Sequence, residues 1–159
     1  MSDEPIRAVA RATLETADVA YLTTMDAEGY PHTRAMFNLR NPSWFPKQIP
    51  LFAAHRDDFL LYFTTNTSSV KTRHLHSNRR ASAYYCRVQE YDGLLLTGDL
   101  EIVDESDLRH AVWNEGWERY YPGGPDDPDH TVLRLRPRYA EGWHQSRRFE
   151  FQIEAGSPR

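Results

Sequence analysis

With one cysteine, Cys86, among 159 residues, the chain cannot close an internal disulfide, so packing and hydrogen bonds must hold its fold. Cys86 lies in Ala83-Tyr84-Tyr85-Cys86-Arg87-Val88, which reads as a strand carrying a structural thiol. Long apolar runs are also missing. Phe59 to Phe63 and Leu94 to Leu96 are far shorter than the roughly 20 residues that span a bilayer, which excludes a membrane partner. An excess of positive charge is lacking too: 19 Lys and Arg stand against 23 Asp and Glu, a net charge of −4. That balance argues against nucleic acid as the main partner. The opening Met1-Ser2-Asp3-Glu4 is acidic where a secretory signal is basic, which predicts a cytoplasmic location. No repeat or low-complexity tract is present, excluding solenoid and fibrous architectures.

What is present is a globular composition, 40% hydrophobic and 26% charged, in a length suited to a single domain over residues 1–159. Ile6, Val9, Ala10, Thr13 and Leu14 fall at three- and four-residue intervals after Pro5, predicting an opening helix to Thr16. Val19 to Thr24, a turn at Asp26 to Gly29 and His32 to Leu39 predict a hairpin. Arg40 to Pro50, with three prolines, reads as a surface loop. Strands are expected at Phe59 to Thr64, Ala81 to Val88, Gly93 to Val103, Val132 to Arg136 and Glu150 to Ile153. Helices are expected from Ser69 to His76 and, capped by Asp104, from Glu105 to about Arg119. Six or seven antiparallel strands with three helices make a mainly β fold with flanking helices.

The segment Phe63-Thr64-Thr65-Asn66-Thr67-Ser68-Ser69-Val70-Lys71 carries the most chemistry. A strand ends in hydroxyl-bearing residues and a helix begins with a lysine in its first turn, a combination of N–H groups, hydroxyls and one ammonium that suits an anion. Arg34 could add a planar guanidinium. A plain helix cap and a surface ion pair are the alternatives. His74 and His76, beside Arg73, Arg79 and Arg80, read as a solvated basic face rather than a metal site. Trp113, Trp117 and Tyr121 recur at four-residue spacing, as core or interface residues do, and Asp126, Asp127 and Asp129 read as a turn, not a calcium loop.

Four segments together resemble the pyridoxamine 5'-phosphate oxidase superfamily, and within it the general stress protein 26 type. They are Tyr30 to Phe37, Phe63 to Lys71, Trp113 to Gly124 leading into Asp127-Pro128-Asp129, and Val132 to Pro137 followed by Gly142-Trp143-His144. The resemblance implies an antiparallel split β-barrel that binds FMN at the interface of a homodimer. It implies that Arg34 and the backbone of Ala35, Met36 and Phe37 touch the flavin, that Thr64 and Thr65 line it, that Ser69 and Lys71 hold its phosphate, and that Trp143 lies near it. Trp117, Tyr120, Tyr121 and Trp143 are candidates for the wall near the partner's flavin. Leu39 stands where the oxidases carry a substrate-reaching lysine, Gly93 stands nearest the place of a glutamine, and Trp113 to Asp129 lacks their substrate-phosphate grip. Arg148 resembles their late arginine with different spacing. The expected function is a flavin-dependent oxidoreductase acting on a small molecule with an electron donor. Pyridoxamine 5'-phosphate oxidase activity and a non-enzymatic flavin-binding stress protein are the alternatives, and no catalytic side chain is demanded.

Overall fold

A computed structural model describes residues 3–154. Helix α1 (Glu4–Thr16) opens the chain, and β1 (Val19–Met25) and β2 (Pro31–Phe37) form a hairpin. A short helix α2 (Ile49–Phe52) precedes β3 (Leu61–Asn66), and α3 (Val70–Ser77) follows it directly. Then come β4 (Arg80–Arg87), β5 (Asp92–Val103), α4 (Ser106–Val112), β6 (His130–His144) and β7 (Arg147–Gln152). The strands form one antiparallel sheet in the order β2-β1-β4-β5-β6-β3, with β7 paired to the far half of β6. This is the mainly β, split-barrel architecture that the sequence predicts.

Alternation dictates which face turns inward. Along β1 the side chains of Ala20, Leu22 and Thr24 are buried, and β4 contributes Ala83 and Tyr85 to the same interior. Leu94, Leu96 and Leu100 of β5, Leu133 and Leu135 of β6 and Phe63 of β3 complete it, with α1 seated on one end through Ala10 and Leu14. A second cluster lies on the other side of β3: Leu39, Tyr62, Val103, Val112, Trp113, Trp117 and Tyr121.

The sheet curls at a bulge. Thr97 pairs with Tyr139 but Gly98 pairs with Pro137, so β6 carries Arg138 as an extra residue there. Glycine is required at position 98, because a Cβ there would lie 2.1 Å from the backbone oxygen of Arg136.

Two expectations change, and a third gains detail. The helix foreseen from Glu105 to about Arg119 stops at Val112, and Trp117–Arg119 forms a separate 3-10 turn. Trp113 leaves the helix in extended geometry, φ −67° and ψ 136°, and Gly116 adopts φ +92°, which a continuous helix does not allow. Asp104 does not cap that helix; its carboxylate takes Arg109 instead. Residues 40–50 form the expected loop or surface excursion, mostly exposed and carrying short helical turns, but three of its polar side chains turn inward. Arg40, Asn41 and Gln48 are buried, Asn38 donates to the carbonyls of Leu14 and Ala17 at 2.7 and 2.9 Å, and Asn41 donates to Ala17 at 3.1 Å, satisfying the end of α1. Pro46 and Pro50 sit in the first turns of short helices, where a missing N–H is harmless.

Replacing Gly98 with alanine forces the backbone apart and is expected to cost roughly 2 to 3 kcal/mol, lowering Tm by roughly 4 to 12 °C in a thermal melt. Gly29→Ala, at φ +89° with open space around the new methyl group, should cost about 1 kcal/mol. Equal losses would show that the close approach at Gly98 is not the constraint.

Candidate functional site

Strands β2 and β3 are the two ends of the sheet order, yet they come into contact across the open side of the barrel without forming a ladder. Each presents a row of backbone N–H and C=O groups toward the seam, unpaired within the sheet. A ligand with its own donors and acceptors can bridge such edges.

At one end of the seam stand two cations. Arg34 projects from β2 opposite Leu22 and donates through Nη1 to the Leu22 carbonyl at 3.2 Å and to Thr24 Oγ1 at 2.9 Å. Lys71, in the first turn of α3, donates to Thr65 Oγ1 at 2.6 Å, and Thr65 donates in turn to Ser69 Oγ at 3.3 Å. Neither cation has a carboxylate partner among the described residues. Burial holds the pKa of both below the ordinary value, and the Arg34 charge lowers that of Lys71 further. Two neighbouring, partly buried, uncompensated cations are an arrangement that a bound anion relieves.

The loop between β3 and α3 is fixed in advance. Asp129 accepts from Asn66 Nδ2 at 2.5 Å and from the Ser68 hydroxyl at 3.3 Å, while Thr67 donates its N–H to the Asp129 carbonyl at 2.8 Å. Ser69 occupies the N-cap position of α3 without a side-chain cap bond, so its hydroxyl remains available to a ligand.

Sequence reasoning missed the residues that hold Arg34. Thr24 is fully buried, and its hydroxyl meets both Arg34 and His74 Nδ1, the latter at 2.8 Å. With one proton and two lone pairs, the hydroxyl can accept from Arg34 and still share a hydrogen bond with Nδ1. Burial lowers the His74 pKa, and the His32 and Arg34 charges lower it further. His74 is therefore not on a solvated face, although Arg73, His76, Arg79 and Arg80 are exposed. The neighbouring Leu75, also buried, was the one apolar signal on this face, but a histidine on a short polar helix does not announce burial.

The predicted residues divide over the seam. Arg34 and Met36 point toward the interior, whereas Ala35 and Phe37 point outward. Phe37 stacks on Trp117 at 5.5 Å with an 11° interplanar angle and touches Phe45 and Tyr120. Thr65 faces Lys71, while Thr64 turns the other way to hydrogen-bond the buried Tyr121. Trp117 and Tyr121 are core of their own chain; Tyr120 and Trp143 are about half exposed. Trp143 sits at the far end of β6 from Val132, the partner of Thr64, so one chain does not bring it to Arg34 and Lys71.

No curated protein matches this sequence. Among solved structures, a Clostridium acetobutylicum protein related to general stress protein 26, of the pyridoxinephosphate oxidase family, is similar with a TM-score of 0.76 and 26% identity over 96% of this chain and 97% of that one. General stress protein 26 of Bacillus anthracis is similar with a TM-score of 0.68 and 19% identity, covering 92% and 98%. A heme binding protein of Mycobacterium smegmatis shares the fold, with a TM-score of 0.64 and 16% identity over 92% of this chain and 57% of that one. The sequence profile described as pyridoxamine 5'-phosphate oxidase matches residues 6–144, most of the open barrel, and the chain belongs to that family.

Proposed function

We propose that this chain binds FMN in the seam between β2 and β3 and serves as a flavin-dependent oxidoreductase for a small molecule. The observation that carries this reading is the uncompensated pair Arg34 and Lys71, which suits the phosphate, set beside two unpaired strand edges that suit the polar rim of a flavin ring. Arg34 offers a planar fork, Lys71 a point charge, and Ser69 and Thr65 hydroxyls to the same anion. The backbone of Ala35 to Phe37 and the Thr64 side lie along the seam. When bound, the flavin supplies reversible electron transfer; the chain orients it and keeps water from one face.

Pyridoxamine 5'-phosphate as substrate has little support. Leu39, in the place of the oxidases' lysine, is buried against the second core cluster, and Trp113, Trp117 and Tyr121 fill the neighbouring segment with apolar surface.

The homodimer belongs to the same reading. The outward face of the sheet carries Val19 and Tyr21 on β1, Tyr84 and Cys86 on β4, Leu95 on β5 and Trp143 on β6, an apolar surface with Tyr21 paired to Tyr84 and Tyr84 to Leu95. A second copy related by a twofold axis would cover this face and carry its own Trp143 toward the first copy's seam.

Lys71→Ala should weaken FMN by roughly tenfold to a hundredfold in a fluorescence titration, the worth of a charge-assisted hydrogen bond, and leave riboflavin nearly unchanged. Equal losses would remove Lys71 from the phosphate. Light scattering at low micromolar concentration should give twice the 18.6 kDa chain mass, and Tyr84→Glu should shift it toward one; a wild-type monomer that retains FMN would contradict the shared site.

The ligand-free protein should lose stability in acid. His74 and His130 are both buried with folded-state pKa values below the ordinary 6.5, so the unfolded chain binds more protons. Their contribution is complete above pH 6.5 and is lost as pH falls through the lower folded-state values. Melts at pH 7.5 and 5.5 should show a fall in Tm that is smaller in His74→Asn, whose amide oxygen can take the Thr24 proton. An identical fall in both proteins would assign the acid sensitivity elsewhere.

A further inference from the structure

A second cleft opens between α1, the segment after β2 and α2, with a volume of about 460 Å³, within the size of small-molecule sites. Its walls are apolar: Ala8 and Ala12 lie one turn apart on α1, and Leu39, Phe45, Ile49 and Phe52 face them. The alanines leave the room, because any longer side chain at either position would fill the groove. None of the residues assigned to the phosphate end of the seam lines it.

Three arginines and one carboxylate also line the cleft: Arg11, Arg40, Arg56 and Glu15. Arg11 is satisfied already, by Glu4 and by Asp57 at 3.3 Å. Arg40 is different. It is 6% exposed, its guanidinium lies 4.7 Å over the ring of Phe52, and Nη2 donates to the His55 carbonyl at 3.2 Å. Its Nε is buried with no acceptor, and it has no carboxylate within ion-pair distance among the described residues. Nε has no surface toward the cleft, so a ligand there meets Arg40 through the small part of its side chain that remains exposed. Arg56 is exposed at the mouth and forms no ion pair among the described residues. Glu15 and Asp58 both act on Arg40 electrostatically, so the cations are largely offset and the groove takes at most one further negative charge.

We propose that this cleft binds a small organic monoanion, a carboxylate carried on an apolar or aromatic body. Arg40 and Arg56 take the carboxylate and the alanines, Phe45, Ile49 and Phe52 take the body. Glu15 disfavours a dianion, so inorganic phosphate and phosphate monoesters are discriminated against, in contrast to the seam, where no carboxylate opposes Arg34 and Lys71.

Isothermal titration with phenylacetate, and with its neutral analogue phenylacetamide, tests this. The expected result is saturable binding of one phenylacetate per chain at millimolar concentrations, with the amide at least about tenfold weaker because it forfeits the charge-assisted bonds. Arg56→Ala should weaken phenylacetate and Glu15→Gln should tighten it; both residues are exposed, so both variants should keep the fold. Arg40→Lys, which keeps the charge and loses the planar fork, should weaken it about tenfold or more. Added FMN should leave the affinity unchanged. The proposal is overturned if no saturable heat appears, if the amide binds as well as the acid, if Arg56→Ala and Glu15→Gln shift the affinity in neither direction, or if FMN competes.

Discussion

The repulsion between Arg34 and Lys71 is the constraint around which the seam is organised. Both side chains are withdrawn from water and neither is neutralised, so their charges raise the energy of the ligand-free protein. The fold bears that cost by pinning each cation from behind. Thr24 and the Leu22 carbonyl hold Arg34 through the β1–β2 register, and Thr65 holds Lys71 through the turn from β3 into α3. His74 completes the arrangement from the other side of Thr24, and its lowered pKa disfavours a third positive charge beside the pair.

The seam exists because the sheet curls without closing. The bulge at Gly98 bends β5 and β6 so that the edges β2 and β3 approach, and the approach stops short of a ladder. Two exposed edges normally invite pairing with another chain. Here the aromatic group of Phe37, Phe45, Trp117 and Tyr120 stands at one end and the two cations at the other, the arrangement on which the proposal of a planar, anion-bearing ligand rests. The buried side chains of Asn38, Asn41 and Gln48 stiffen the β2 side by tying it to the end of α1 and to the carbonyl of Ala111.

Much of this was legible in the residues. Apolar and β-branched runs between turn signals located the strands, with alternation marking the last two, and the order of hydroxyls and lysine from Thr64 to Lys71 pointed to the place where Thr65, Ser69 and Lys71 come together. Segments whose burial depends on distant partners were not legible. Asn38, Asn41 and Gln48 look like loop residues until the carbonyls they satisfy are known, and Trp113 continues a helical spacing although its backbone has already turned away. His74 can be buried because Thr24, fifty residues earlier, offers it a hydrogen-bond partner. Trp143 belongs to the outward face, where one chain alone shows no reason for an exposed tryptophan.

The central claim is that a phosphate rests between Arg34 and Lys71, and the phosphorus NMR resonance of FMN bound to the protein, followed from pH 8 to pH 5, tests it most directly. Held by two cations, the phosphate should stay dianionic well below its ordinary second pKa of about 6, with one bound resonance per chain. A bound flavin whose phosphate titrates as it does in free solution, or whose resonance is indifferent to Lys71→Ala, would contradict the account.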